Sequence, residues 1–127
     1  MDSASTRVLV VDDDAAIRLL CRVNLELAGY EVDEAETLAQ ARAVLAEREV
    51  QAVLLDLALG AEDGLALLHE VRAGGVDVPI VLLTGRDGAA AAGLAQAVLQ
   101  KPFQLEELVL TVELLAGSAG IGRLRPR

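Results

Sequence analysis

No tryptophan occurs in the 127 residues, and phenylalanine, tyrosine and cysteine appear once each. A core almost without aromatics has to be assembled from Val, Leu, Ile and Ala, which agrees with a hydrophobic share of 54%. The single Cys21 cannot close an internal disulfide, in keeping with a reducing compartment. Its position reads as a small buried hydrophobe on a helix. No apolar run approaches the ~20 residues of a membrane-crossing helix. Met1 to Thr6 offer neither the basic start nor the apolar stretch of a secretory signal. A cytoplasmic protein with no membrane contact is the expectation. Basic charge is also scarce: 11 Lys and Arg stand against 20 Asp and Glu, a net charge of −9. That balance argues against direct binding of nucleic acid through its phosphates.

What is present alternates. Arg7-Val8-Leu9-Val10-Val11 is a β-branched apolar run that stops at three aspartates, the pattern of a strand buried on both faces. A helix is expected over 15–28, with Asp14 as N-cap and Gly29 as stop. A strand is expected over 30–34, then a second helix capped by Thr37, with Leu38, Ala41, Val44 and Leu45 sharing a stripe. Residues 52–55 form another buried strand ending at Asp56. A loop with Gly60 and Gly64 leads to a helix over 65–73. Strands over 79–83 and 97–99 and a helix over 104–115 complete the series; Pro79 suits a strand's first position. One domain over residues 5–116 is the expectation, and 117–127 are expected to be a flexible tail or linker stub.

Five strand–helix alternations call for a parallel sheet covered on both faces, joined by right-handed crossovers. Such doubly wound sheets bind ligands outside the carboxyl ends of their strands. Asp12 and Asp13 follow the first strand, Asp56 the third, Thr84 the fourth, and Lys101-Pro102 the fifth. Three carboxylates close together repel, and one would keep its proton unless a cation were present. A hard divalent ion with oxygen ligands resolves that conflict, and Mg²⁺ suits a site that expects phosphate. A lysine ammonium and a threonine hydroxyl would complete the shell around a phosphoryl group, with Asp56 as the nucleophile. Taken singly, each feature is ordinary: a helix cap, a loop acid, a strand exit. Their joint placement at strand ends is what points to chemistry.

The segments Val8-Leu9-Val10-Val11-Asp12-Asp13-Asp14, Leu54-Leu55-Asp56-Leu57 with Asp63-Gly64, Val81-Leu82-Leu83-Thr84-Gly85 and Lys101-Pro102-Phe103 resemble the receiver domains of bacterial two-component response regulators. The resemblance implies an α/β, flavodoxin-like (βα)₅ fold. It implies a phosphorylation-dependent switch in which Asp56 accepts a phosphoryl group from a sensor histidine kinase or a histidine phosphotransfer protein. By the same resemblance, Asp13 and Asp56 would bind Mg²⁺ through side chains, Asp12 through water, and Ala58 through its backbone carbonyl. Thr84 and Lys101 would contact the phosphoryl oxygens. The Lys101-Pro102 bond is commonly cis in this family. A downstream protein partner and a homodimer are implied as well. No enzymatic turnover is expected beyond self-phosphorylation and autodephosphorylation.

Three departures from the family pattern stand out. Gly60 occupies a position usually held by proline, which is expected to loosen the loop. Val98 stands where a switch Tyr or Phe is usual, so any coupling outward from Thr84 needs another route. Only seventeen positions separate Thr84 from Lys101, shorter than the family by roughly one and a half helical turns. The deficit falls in the fourth helix, which is expected to be short or poorly ordered over 86–95. Ala58 and Arg86 sit where the family tunes dephosphorylation; Arg86 reads equally as a surface residue. His69 reads as a solvent-facing helix residue, and Asn24 has no functional account. Arg123, Arg125 and Arg127 read as part of the tail. Two other functions fit less well. A Mg²⁺-dependent aspartyl-phosphate phosphatase would carry a second acid where Ala58 stands. A pseudo-receiver scaffold would fit the changes at Val98 and in the fourth helix, since in the family helix four, strand five and helix five commonly form the output face, but not the complete set of chemical residues.

Overall fold

The computed structural model describes residues 6–85 and 93–117. In chain order the elements are β1 (Arg7–Val11), α1 (Ala15–Leu27), β2 (Glu31–Ala35), α2 (Leu38–Glu47), β3 (Ala52–Asp56), the short β4 (Ala58–Leu59) and β5 (Glu62–Asp63), α3 (Leu65–Ala73), β6 (Ile80–Thr84), β7 (Ala97–Gln100) and α4 (Leu105–Val112). A π-helical turn, Glu113–Gly117, extends α4. Five strands form one sheet in the order β2-β1-β3-β6-β7, every neighbouring pair parallel. This is the doubly wound, flavodoxin-like arrangement expected from the sequence. Its order reverses between β1 and β3, where such folds place their ligands.

Because side chains alternate across a strand, each apolar run supplies both faces. Leu9, Val11, Val53, Leu55, Ile80 and Leu82 meet Leu38 and Ala41 of α2 and Leu67 and Leu68 of α3. On the other face Val8, Val10, Leu54, Val81, Leu83 and Leu99 meet Cys21 and Leu25 of α1 and Leu108 and Val112 of α4. Each fully buried Leu or Val contributes about 1.5–3 kcal/mol relative to an exposed one. That burial holds the strand ends in register.

The helix caps follow the sequence closely. Asp14 accepts from the amides of Ala16 and Ile17, and Thr37 accepts from Gln40. Gly29 takes φ +101°, a conformation that ends α1 and that a side chain would resist. Several boundaries differ from expectation; β6 begins at Ile80, with Pro79 just before it, and β7 runs on to Gln100. Tyr30 precedes β2 instead of opening it, and β2 runs on to Ala35. The last helix is α-helical only to Val112 before the π turn. The segment around Gly60 is a two-residue hairpin: Leu59 pairs with Glu62, and Gly60 takes φ +57° while Ala61 keeps a negative φ. Glycine first in such a turn matches the twist of the paired strands. Proline, held near φ −65°, has no access to that conformation.

The fourth-helix shortening expected over 86–95 falls largely on residues 86–92, outside those described, as do Arg86 and the tail arginines. The described end of this crossover is clamped by α3. Arg72 donates from Nε to the Leu94 carbonyl (2.8 Å), from Nη2 to Gln96 Oε1 (2.8 Å) and from Nη1 to the Val76 carbonyl (2.9 Å). Gln96 also accepts from the Ile80 amide (2.8 Å), so the segment entering β7 is tied to both α3 and β6.

Candidate functional site

Each strand of the sheet interior delivers a polar group at its carboxyl end. Asp12 directly follows β1 and is fully buried; Asp13, next to it, is exposed. Asp56 ends β3 and Thr84 ends β6, both buried. One carboxylate oxygen from each of Asp12, Asp13 and Asp56 lies within 4.8 Å of the other two. The three acids singled out in the sequence therefore meet.

Lys101 reaches this cluster from just beyond β7. Its Nζ stands 3.2 Å from Asp12 Oδ2 and 3.1 Å from Asp56 Oδ2. Its backbone amide donates to the Thr84 carbonyl, which locks the lysine's starting point to the end of β6. The Lys101-Pro102 peptide bond is cis. The Ala58 amide donates to Asp56 Oδ1 (3.0 Å), so the Asp56 carboxylate is held on one side by a backbone donor and on the other by an ammonium.

Burial, together with the charge of Asp56, holds the Asp12 carboxyl above the usual carboxylate range; the Asp14 amide and Lys101 oppose the rise without cancelling it. For Lys101, burial works against the ammonium, yet Asp12 and Asp56 more than offset it and raise its affinity for the proton. Cys21, buried beneath the site, is pushed up to about 12 by burial and by Asp12, which keeps it an inert thiol. A carboxylate trio whose buried member binds its proton too tightly is short of positive charge. One lysine serves two acids, and a divalent cation with oxygen ligands fits the remaining deficit.

The structure gives physical roles to residues for which the sequence alone gave none. Gly64 packs against the floor of the site: a Cβ there would lie 2.4 Å from the Asp56 carbonyl oxygen and 3.0 Å from Leu57 Cα. Only a residue without a side chain lets the start of α3 lie on the end of β3. Arg18 Nη1 donates to the Asp12 carbonyl (2.7 Å), and Glu62 Oε1 accepts from the Leu38 amide at the head of α2 (3.1 Å). Other expectations resolve simply. His69 is exposed on α3. Asn24 Nδ2 donates to the Leu20 carbonyl one turn back (2.8 Å). Val98 is 44% exposed on the edge strand.

A family model described as the response regulator receiver domain matches residues 8–113. The curated protein response regulator MprA of Mycobacterium sp. (strain KMS) is 40% identical over 114 residues, covering 86% of this chain and 50% of that protein. MprA of Mycobacterium tuberculosis (strain ATCC 25177 / H37Ra) is 40% identical over 116 residues, with 87% and 50% covered. The chain thus spans about half the length of the curated relatives it matches. Among solved structures, chemotaxis protein CheY4 of Vibrio cholerae is similar with a TM-score of 0.81 and 28% identity, covering 88% of this chain and 99% of that one. The receiver domain of NtrX from Brucella abortus is similar with a TM-score of 0.79 and 31% identity, covering 87% and 98%.

Proposed function

The chain belongs to the response regulator receiver domain family, and from that premise we propose that it is a phosphorylation-dependent signalling switch with Asp56 as its phosphoacceptor. The observation that carries this reading is the position of Asp56: at a strand end, 3.1 Å from the Lys101 ammonium and grouped with Asp12 and Asp13. The donor is a phosphohistidine of a sensor histidine kinase or of a histidine phosphotransfer protein. An Asp56 oxygen attacks phosphorus, the P–N bond breaks, and the imidazole leaves with the bond's electron pair. The product is an aspartyl phosphate.

The chain's contribution is positioning and charge. The Ala58 amide fixes the carboxylate rotamer. Lys101 Nζ, 3.1 Å from Asp56 Oδ2, is near enough for its ammonium to stabilise the charge of the transferred oxygens. Thr84 supplies a hydroxyl donor from the neighbouring strand. Mg²⁺, held by Asp12, Asp13, Asp56 and the Ala58 carbonyl, would neutralise charge on the transferred group and on the crowded acids. This chemistry is confined to the protein's own phosphorylation and dephosphorylation, because Ala58 provides no second acid for phosphatase turnover. The output is contact with a downstream protein or a second copy, in the cytoplasm, without direct binding of nucleic acid by this chain.

A second reading, a scaffold that never takes phosphate, is favoured only by exposed Val98 in place of a switch aromatic. Incubation with Mg²⁺ and acetyl phosphate followed by intact mass measurement separates the two. Phosphoryl mass on the wild type and none on Asp56→Ala supports the switch. No adduct on either supports the scaffold.

A further inference from the structure

Asp12 is fixed from four directions, and three of its contacts follow from the fold or from the cluster itself. Its amide donates to the Ala35 carbonyl at the end of β2 (3.0 Å), its Oδ1 accepts from the Asp14 amide (2.9 Å), and its Oδ2 lies 3.2 Å from Lys101 Nζ. The fourth is different. Arg18, one turn into α1, folds back and donates from Nη1 to the Asp12 carbonyl at 2.7 Å. That side chain is only 14% exposed. Its Nε lies 3.2 Å from Glu34 Oε1, while Glu34 Oε2 lies 2.8 Å from Arg22 Nε. Glu34 of β2 thus aims the guanidinium, and the guanidinium grips a backbone oxygen.

The gripped carbonyl belongs to the peptide that joins Asp12 to Asp13. The direction of that carbonyl is set by ψ of Asp12 and φ of Asp13, and an uncompensated change in either dihedral turns one carboxylate relative to the other. We infer that Arg18 is a positioning residue of the acidic cluster, locking the Asp12–Asp13 peptide so that both carboxylates address the same cation. The inference rests on the cation site described under the proposed function. The sign of the effect is diagnostic. As a bare positive charge, Arg18 would repel a cation, and its loss would tighten binding. As a positioning residue, its loss loosens binding.

Calorimetric titration of Mg²⁺ into wild type, Arg18→Met, Arg18→Lys and Glu34→Gln tests this, with circular dichroism to verify folding. Phosphoryl uptake from acetyl phosphate at saturating Mg²⁺ is the second readout. Arg18→Met is expected to weaken Mg²⁺ about tenfold, the usual scale for losing a group that orients a metal ligand. Arg18→Lys recovers part of the loss, and Glu34→Gln weakens binding about threefold in the same direction. Uptake at saturating Mg²⁺ stays within about twofold of wild type, since Asp56, Thr84 and Lys101 are untouched. Unchanged or tighter Mg²⁺ binding in folded Arg18→Met overturns the inference. So does an equal loss of uptake at saturating Mg²⁺ without rescue by lysine, which is what diffuse damage to packing would produce. Should Arg18→Met fail to fold, Glu34→Gln decides by the same criterion. A wild type that binds Mg²⁺ but accepts no phosphoryl group overturns the switch while the Arg18 comparison is still read from affinity. A wild type that binds no Mg²⁺ overturns both.

Discussion

Lys101 Nζ bridges Asp12 and Asp56, 3.2 Å from one carboxylate and 3.1 Å from the other, so a single ammonium serves two buried acids. Lys101→Met removes it. In the absence of Mg²⁺ the variant should lose about 1–3 kcal/mol, below the figure for a fully buried pair because the lysine is partly exposed. Adding Mg²⁺ should narrow that deficit, and Mg²⁺ itself should bind more tightly once a competing cation is gone. Phosphoryl uptake should fall about 100-fold or more. Urea melts with and without Mg²⁺ check the first claim; equal deficits in both would contradict it.

Gly64→Ala tests the floor of the site. Its Cβ would press on the Asp56 carbonyl oxygen at 2.4 Å and on Leu57 Cα at 3.0 Å, all of it backbone that cannot swing aside. A destabilisation of about 3 kcal/mol is expected, together with weaker Mg²⁺ binding because the end of β3 must move. A thermal midpoint equal to wild type would show that α3 shifts freely.

The raised proton affinity of Asp12 predicts a pH effect of definite sign. Its carboxyl titrates above the ordinary 3.8, so the folded state holds the proton more firmly than the unfolded state does. The corresponding stability is present at low pH and is lost as pH rises through the folded value. Without Mg²⁺, the stability of wild type relative to Asp12→Asn should therefore decline as pH rises above the ordinary carboxylate range. With saturating Mg²⁺ the decline should disappear, since the cation favours the charged form. Denaturant midpoints across this range are the measurement, and a rising difference without Mg²⁺ would refute the assignment.

The hairpin at Gly60 makes a further prediction. At φ +57° alanine should cost about 1 kcal/mol, although its Cβ meets nothing closer than Asp13 Oδ2 at 3.7 Å. Proline, common at this position in the family, should cost more, because it forces the turn to reorganise. A Gly60→Pro protein as stable as wild type would mean that the β4–β5 pairing is dispensable.

The sheet and the polar cluster were legible because both are written locally. Val8 to Val11 and Ala52 to Leu55 are apolar runs cut off by aspartate, and a residue just past a parallel strand has only one rim to occupy. Asp14 and Thr37 announced their helices through short-range caps. What the sequence hid depends on long reach or on the absence of atoms. Arg18 and Arg72 act on backbone carbonyls, which leave no mark in side-chain pattern. Gly60 and Gly64 were visible as residues, but the dihedral sign that the first supplies and the close contact that the second permits were not. The end of α4 slackens into a π turn, a shift of one residue in hydrogen bonding that apolar periodicity does not register.

Among the described residues, the two apolar layers beneath the sheet and above it share no helix. Asp12 and Lys101 lead into α1 and α4 on one layer, whereas Asp56 and Gly64 lead toward α3 on the other. On the proposed reading, a phosphoryl group at Asp56 would sit at the seam of these two layers, which the backbone of the strands joins. A route through that backbone would need no swinging aromatic ring at Val98.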